Sequence, residues 1–360
     1  MESVTLKPEF EKTVQRFTAW WECEIIDRPP VNMAVNTGSS HVPSVNEHVS
    51  HRDRWLDVEF KVDAAIDGLV HREYPGDALP VFFPNIGPEL TGTVYGCELE
   101  FSETTSWSVP PVHTLEDWSN ILKLQPDFDN PYWQTIEEIT ALAVEKCDDR
   151  YLIGMPDLHG NYDMLASLRE PQELCMDIVD DPDTIIEVGQ HVAKGFVACF
   201  QRCHSMVAQA GFGSTSWIPF YHPGPAYIPS CDFWCMLSDD FSRNAVLPDI
   251  LTEMEAMERS VFHLDGPQAL RHLDLLLEIP NLNAVQWVYG AGNGPAAKWV
   301  NVYKRIQAAG KGFLIHADDA QDALTVLEQT GPKGAWLFVG QAFDSVDETD
   351  RFIAEIQKLS

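Results

Sequence analysis

The sequence predicts an α/β protein, a single (β/α)8 TIM barrel spanning 1–360, with an insertion near residues 84–133 covering its mouth. Three observations predict it. The carboxyl-terminal third alternates apolar runs and helical patterns with short connections, as consecutive parallel βα units do. About eight apolar runs of strand length occur, the number that closes a barrel. One of them ends in His263-Leu264-Asp265-Gly266-Pro267. There Gly266 permits a sharp turn and Pro267 suits a first helical position, so an imidazole and a carboxylate sit at a strand's carboxyl end.

In chain order, Pro30–Val35 and Leu79–Phe83 are the first expected strands. The stretch 84–133 is rich in Gly, Pro, Thr and Trp and weakly periodic, hence the insertion. Tyr151–Met155 and Thr215–Phe220 follow as buried strands, with helical sequence from Pro182 to Gln209 between them. Val261–Leu264 leads to a helix with Leu270, Leu273 and Leu277 on one face. Ala284–Val288 precedes a helix carrying Trp299, Val302, Tyr303 and Ile306 at i, i+3, i+4, i+7. Gly312–Ile315 and Ala335–Val339 complete the set, followed by helices bearing Leu324 and Leu327, then Phe352, Ile356 and Leu359. An open doubly wound sheet is the rival. Its phosphate loop would have to be Gly290-Ala291-Gly292-Asn293-Gly294, which comes late and lacks the following acidic residue, so it reads as a strand-end turn.

Composition narrows the function. The 55 acidic and 24 basic residues give a formal charge of −31, which repels nucleic acid and anionic lipid. The amino terminus has no basic stretch leading into an apolar run, and no apolar run of spanning length occurs. The expectation is a soluble cytoplasmic protein whose partner is a small molecule. Eight cysteines without a CxxC pair exclude a disulfide scaffold. Cys199 and Cys203, one helical turn apart, read as buried on an apolar face, and no cysteine follows Cys235.

Tyr221-His222-Pro223 through Pro229-Ser230-Cys231-Asp232-Phe233, the His263–Pro267 motif and Gln286-Trp287-Val288-Tyr289-Gly290-Ala291-Gly292 resemble the uroporphyrinogen decarboxylase superfamily, specifically its divergent bacterial members. The resemblance strengthens from Gly154 onward. It implies a cleft at the carboxyl ends of the strands and, by habit of such relatives, a homodimer. Two departures argue against a true uroporphyrinogen decarboxylase. The segment matching its paired arginines, Arg28 to Gly38, has no arginine after the strand; the best match to its essential aspartate is Asn85 in Phe83-Pro84-Asn85-Ile86. An amide cannot transfer protons or stabilise a cationic pyrrole. The superfamily's other branch, cobalamin-linked methyltransferases, binds zinc through a His-x-Cys pair on this strand and a later cysteine. Here Asp265 replaces the first cysteine and the second is missing. A His263/Asp265 site with a third ligand such as His316 or Asp318 would hold zinc or a harder ion and favour hydroxyl over thiol activation.

Other polar groups fall where strands should end: Asp157, His159 and Asp163 after the Tyr151 strand, His222 and Asp232 after the Thr215 strand, and His316 after the Gly312 strand, with Gln286 inside its own. Such groups serve as acids, bases or metal ligands. The plain alternatives are a capping Asp163, a turn-holding Asp232 and a packed His316. Trp107, Tyr221, Trp234, Gln286, Trp287 and Tyr289, with Glu89 of the insertion, are the expected substrate contacts. Aromatic faces beside carboxylates and imidazoles suit a neutral polyhydroxylated ligand. The leading expectation is therefore a hydrolase or lyase using Asp/Glu/His acid–base chemistry on a sugar-like substrate, with glycoside cleavage as its specific form. A corrinoid-linked, metal-dependent methyltransferase is the alternative, and a non-catalytic small-molecule-binding barrel the third.

Overall fold

The computed structural model describes residues 3–36 and 48–360. Its framework is a curled parallel sheet of six strands: β1 (Val31–Asn32), β6 (Ala226–Tyr227), β7 (Arg259–Asp265), β8 (Ala284–Val288), β9 (Gly312–Ala317) and β10 (Ala335–Val339). They pair in the order β1-β10-β9-β8-β7-β6. A separate parallel pair joins β2 (Val81–Phe82) to β5 (Leu152–Ile153), and β3 (Glu98–Phe101) with β4 (Ser106–Val109) forms an antiparallel hairpin in the insertion. The architecture is TIM-barrel-like. The four strands from β7 onward are the long ones, and their apolar runs are buried on both faces, as a parallel sheet covered by helices requires.

The gaps between the pieces are bridged by a few isolated hydrogen bonds. The Asp77 N–H donates to the Val31 carbonyl (2.7 Å), tying the approach to β2 onto β1. Beyond β5, the Met155 N–H donates to the Thr215 carbonyl (2.9 Å) and Ser216 Oγ to the Met155 carbonyl (2.9 Å). Ser214 Oγ then accepts from the Ala226 N–H (3.0 Å), which leads into β6.

The expected strand Thr215–Phe220 does not form. Pro219, Pro223 and Pro225 crowd this region, and proline has no N–H to give a ladder. The place beside β7 is taken by the two residues of β6. The expected strands at Pro30, Leu79 and Tyr151 shrink to two-residue ladders for the same reason, since Pro30, Pro80, Pro84 and Pro156 flank them.

One helix closes the amino end of the barrel. Phe10–Trp21 lies beneath the strands, with the Trp20 Nε1–H donating to the Gly334 carbonyl (2.9 Å) and the Trp21 Nε1–H to the Tyr221 carbonyl (3.0 Å). Trp20 and Phe17 pack edge-on against Trp336 at 5.2 and 5.1 Å. A methyl group on Gly312 would sit 3.2 Å from the Trp20 ring, so β9 begins with the one residue that admits the plug. Cys199 and Cys203 are buried in the long helix Pro182–Gln209, as their spacing predicts. Among the described residues no helix is long and apolar enough to cross a membrane. Thr37 and Gly38, the end of the stretch matched to the arginine segment, lie outside the described residues. Arg28 at its start is buried and paired with Asp77.

Candidate metal centre

Alternation along β7 buries Phe262 and Leu264 and leaves His263 and Asp265 half-buried on its other face. The register places His263 opposite Gln286 of β8, and Gln286 Oε1 accepts from His263 Nδ1–H at 2.6 Å. An amide oxygen only accepts, so Nδ1 carries a proton and Nε2 is the ring atom turned toward the rim. Trp217 holds the ring edge-on at 5.2 Å. Nε2 faces Asp232 Oδ1 at 3.8 Å.

Asp232 reaches this position through the main chain. The His263 N–H donates to the Pro229 carbonyl (3.0 Å), extending the β6–β7 pairing as far as Ser230. Asp163, in the first turn of the helix Asn161–Arg169, then accepts from the Asp232 N–H (2.9 Å) and the Phe233 N–H (2.8 Å). Gly266, at φ +80°, ends the strand directly after Asp265. One ligand atom each from Asp232, His263 and Asp265 lies within 4.8 Å of the others. In a tetrahedral zinc site such atoms stand roughly 3.4 Å apart, so small side-chain rotations close the set. Two carboxylates and an imidazole, oriented from behind by Gln286 and leaving a position open, fit a catalytic divalent ion.

Two clefts flank the centre. The first, of about 450 Å³, is lined by Glu89, Trp107, His159, Asp163, Asp232 and Phe233. The insertion supplies Glu89 and Trp107, so it covers the mouth as the sequence predicts. His159 Nε2 lies 3.6 Å from Asp157 Oδ2 in the loop after β5, and Thr91 of the insertion holds the His159 carbonyl at 2.5 Å. Burial opposes charge on this imidazole, but Asp157, Asp163 and Glu89 outweigh it and lift its pKa to about 10. Burial in turn pushes the Glu89 and Asp163 carboxyls up, against the pull of His159. The second cleft, of about 460 Å³, lies under the Gly290–Gly294 turn and is lined by Tyr289, His316 and Asp318. Tyr289 Oη donates to Asp318 Oδ1 (2.6 Å). Burial lowers the pKa of His316, which stacks on Phe338, and burial raises that of Asp265.

Six expectations need correction. His222 and Tyr221 lie at the amino rim: His222 faces Glu258 (3.2 Å) just before β7, and Tyr221 packs on Phe10 beside the plug helix. The chain never runs as a strand from Thr215 to the carboxyl rim, so Tyr221 and His222 are not delivered there. Trp234 and Trp287 are fully buried core residues, the first stacked on His272 at 4.8 Å and the second edge-on to Trp299 at 5.2 Å. The side chain that joins His263 and Asp265 in a group able to hold an ion is Asp232, in place of His316 or Asp318. Gln286 orients an imidazole, a role that its register opposite His263 reveals. Thr91 was not anticipated, and nothing in its local sequence marks it.

No family model and no curated protein sequence matches the chain. Among solved structures, a methyltransferase from Methanosarcina mazei matches with a TM-score of 0.61 and 12% identity, covering 99% of this chain and 99% of its own. The likeness establishes a shared fold over the whole length. It also removes the ground for preferring a hydrolase or lyase, since the matched enzyme is a methyltransferase. The acidic groups gather around His159 and His263.

Proposed function

We propose that the chain is a metal-dependent methyltransferase whose centre is Asp232, His263 and Asp265, acting on an oxygen nucleophile, with a methylated corrinoid as donor substrate. The observation that carries the reading is the convergence of these three side chains at the carboxyl rim of a fold matched end to end by a methyltransferase. The resemblance to the cobalamin-linked branch supplies the donor. The acceptor follows from the ligands: carboxylate oxygens in place of thiolates make a harder site that suits a hydroxyl better than a thiol.

Asp232, His263 and Asp265 would hold an ion of the zinc class, which would supply Lewis acidity toward an acceptor hydroxyl. The other roles belong to the chain. Gln286 holds the His263 ring with Nε2 aimed at Asp232. In the transfer the acceptor O–H bond breaks and an O–CH3 bond forms, while the donor's bond to the methyl breaks and leaves its electron pair with the donor. The hydroxyl proton goes to a rim carboxylate. Glu89 and Asp163 suit this task because burial raises their affinity for protons. His159, charged at neutral pH, supplies positive charge to the cleft wall. Trp107 and Phe233 give it an apolar face.

The test is metal content together with methyl transfer from methylcobalamin to a panel of alcohols, phenols and thiols. The reading expects about one zinc per chain, its loss in His263→Ala, and transfer to a hydroxyl. A metal-free protein of undiminished activity, or methylation of thiols alone, would overturn it.

A further inference from the structure

Behind the first cleft, the helix Leu247–Met254 carries two acidic residues one turn apart, Asp249 and Glu253, which the proposed chemistry does not use. Acidic residues at i and i+4 ordinarily mark a solvated face. Here Asp249 is 1% exposed and Glu253 fully buried. The packing has been hollowed to admit them. A Cβ on Gly189, in the helix Pro182–Gln209, would fall 2.5 Å from Asp249 Oδ2 and 3.2 Å from Tyr162 Oη. A Cβ on Gly160 would fall 2.1 Å from Glu253 Oε1. Both Asp249 oxygens, Glu253 Oε1 and the fully buried Tyr162 Oη have no hydrogen-bond partner. Among the described residues no lysine, arginine or histidine pairs with either carboxylate. Glu253 Oε2 alone is satisfied, by Asn161 Nδ2 at 3.0 Å.

We infer that Asp249, Glu253 and Tyr162 form a second cation site, of oxygen ligands only, for a divalent ion of the calcium class. Two carboxylates balance one divalent charge, which a low-dielectric interior demands. Carboxylate and phenolic oxygens are hard donors, and calcium tolerates irregular and bidentate geometry. Asn161 connects the site to the cleft. It holds Glu253 and the Ser230 carbonyl (2.8 Å) at once, at φ +40°, and stands two residues before Asp163. Occupancy would thereby brace the helix turn that presents Asp163. Protons are the competing occupants: burial lifts Asp249 to about 8 and pushes Glu253 up, with Tyr162, Asp163 and Cys231 the other titratable groups nearby.

Metal-stripped protein is dialysed against calcium chloride, and bound calcium and thermal midpoint are measured, with sodium and choline chloride at matched ionic strength as controls. The expected result is one calcium retained and a raised midpoint in calcium only. Tyr162→Phe removes just a hydroxyl and should weaken calcium binding roughly tenfold, whereas His263→Ala at the front centre should leave it unchanged. The pair Asp249→Asn with Glu253→Gln should abolish it, and Tyr162→Phe decides the matter if that variant does not fold. No calcium uptake, equal stabilisation by sodium, undiminished binding in Tyr162→Phe, or loss in His263→Ala each overturns the site.

Discussion

The two rims of this barrel are made by the same strands and obey opposite rules. At the amino rim the helix Phe10–Trp21 presses Trp20 and Phe17 against Trp336, and its indole N–H groups find main-chain carbonyls. The rings pack on one another there, and both indole N–H groups are satisfied by neutral carbonyls. At the carboxyl rim imidazoles and carboxylates crowd into two clefts, with their proton affinities displaced by burial and by each other. The difference teaches where to look: apolar closure marks the end that holds the fold together, and frustrated polar groups mark the end that acts.

The largest expected effect tests the closed end. Trp20→Ala should cost about 3–5 kcal/mol, read by urea unfolding, while the surviving folded fraction keeps its full metal affinity. Equal losses of stability and affinity would break the contrast between the rims. Gln286→Leu tests the open end. It should lower metal affinity about 10–100-fold, with a small change in unfolding midpoint, by freeing the His263 imidazole to change tautomer. Unaltered affinity would show that another group orients the ring.

The His159 effect is one of pH. Its pKa is raised in the folded state from 6.5 to about 10, so the stabilisation it provides is complete below about pH 6.5 and is lost as pH rises through about 10. Unfolding free energies measured from pH 6 to 10.5 should therefore fall less steeply for His159→Gln than for the parent. Parallel curves would remove the charge from the cleft wall. The smallest effect belongs to His222→Ala at the amino rim. Its partner Glu258 is largely exposed, so the pair should be worth less than about 1 kcal/mol. Metal content and turnover should stay at parental levels; a loss of either would return His222 to the site.

Legibility in the sequence followed the same division. The strands β7 to β10 could be read because each is a continuous apolar run with helical spacing on either side, and His263 and Asp265 because a Gly-Pro turn fixes them at a strand end. The early strands were harder, since prolines cut their ladders to two residues and hydrophobicity alone does not reveal a missing N–H. That is how Thr215–Phe220 misled and carried Tyr221 and His222 to the wrong rim. Trp234 and Trp287 misled for a different reason: composition cannot distinguish a buried indole from a ligand-facing one. Asp232 was recognisable as polar but its partnership with His263 was not, because the pairing depends on a main-chain bond between segments some thirty residues apart. Asp249 and Glu253 left no trace, as their burial depends on glycines in two other segments.

The short main-chain link from His263 to Pro229, with Gly266 bonded to the Val288 carbonyl (2.9 Å), has a kinetic consequence. All three side chains of the proposed centre stand on or within two residues of backbone already locked by neighbouring strands. An incoming ion would find its seat assembled and reorder only side-chain torsions, so amide hydrogen exchange along β7 should be as slow in the stripped protein as in the loaded one.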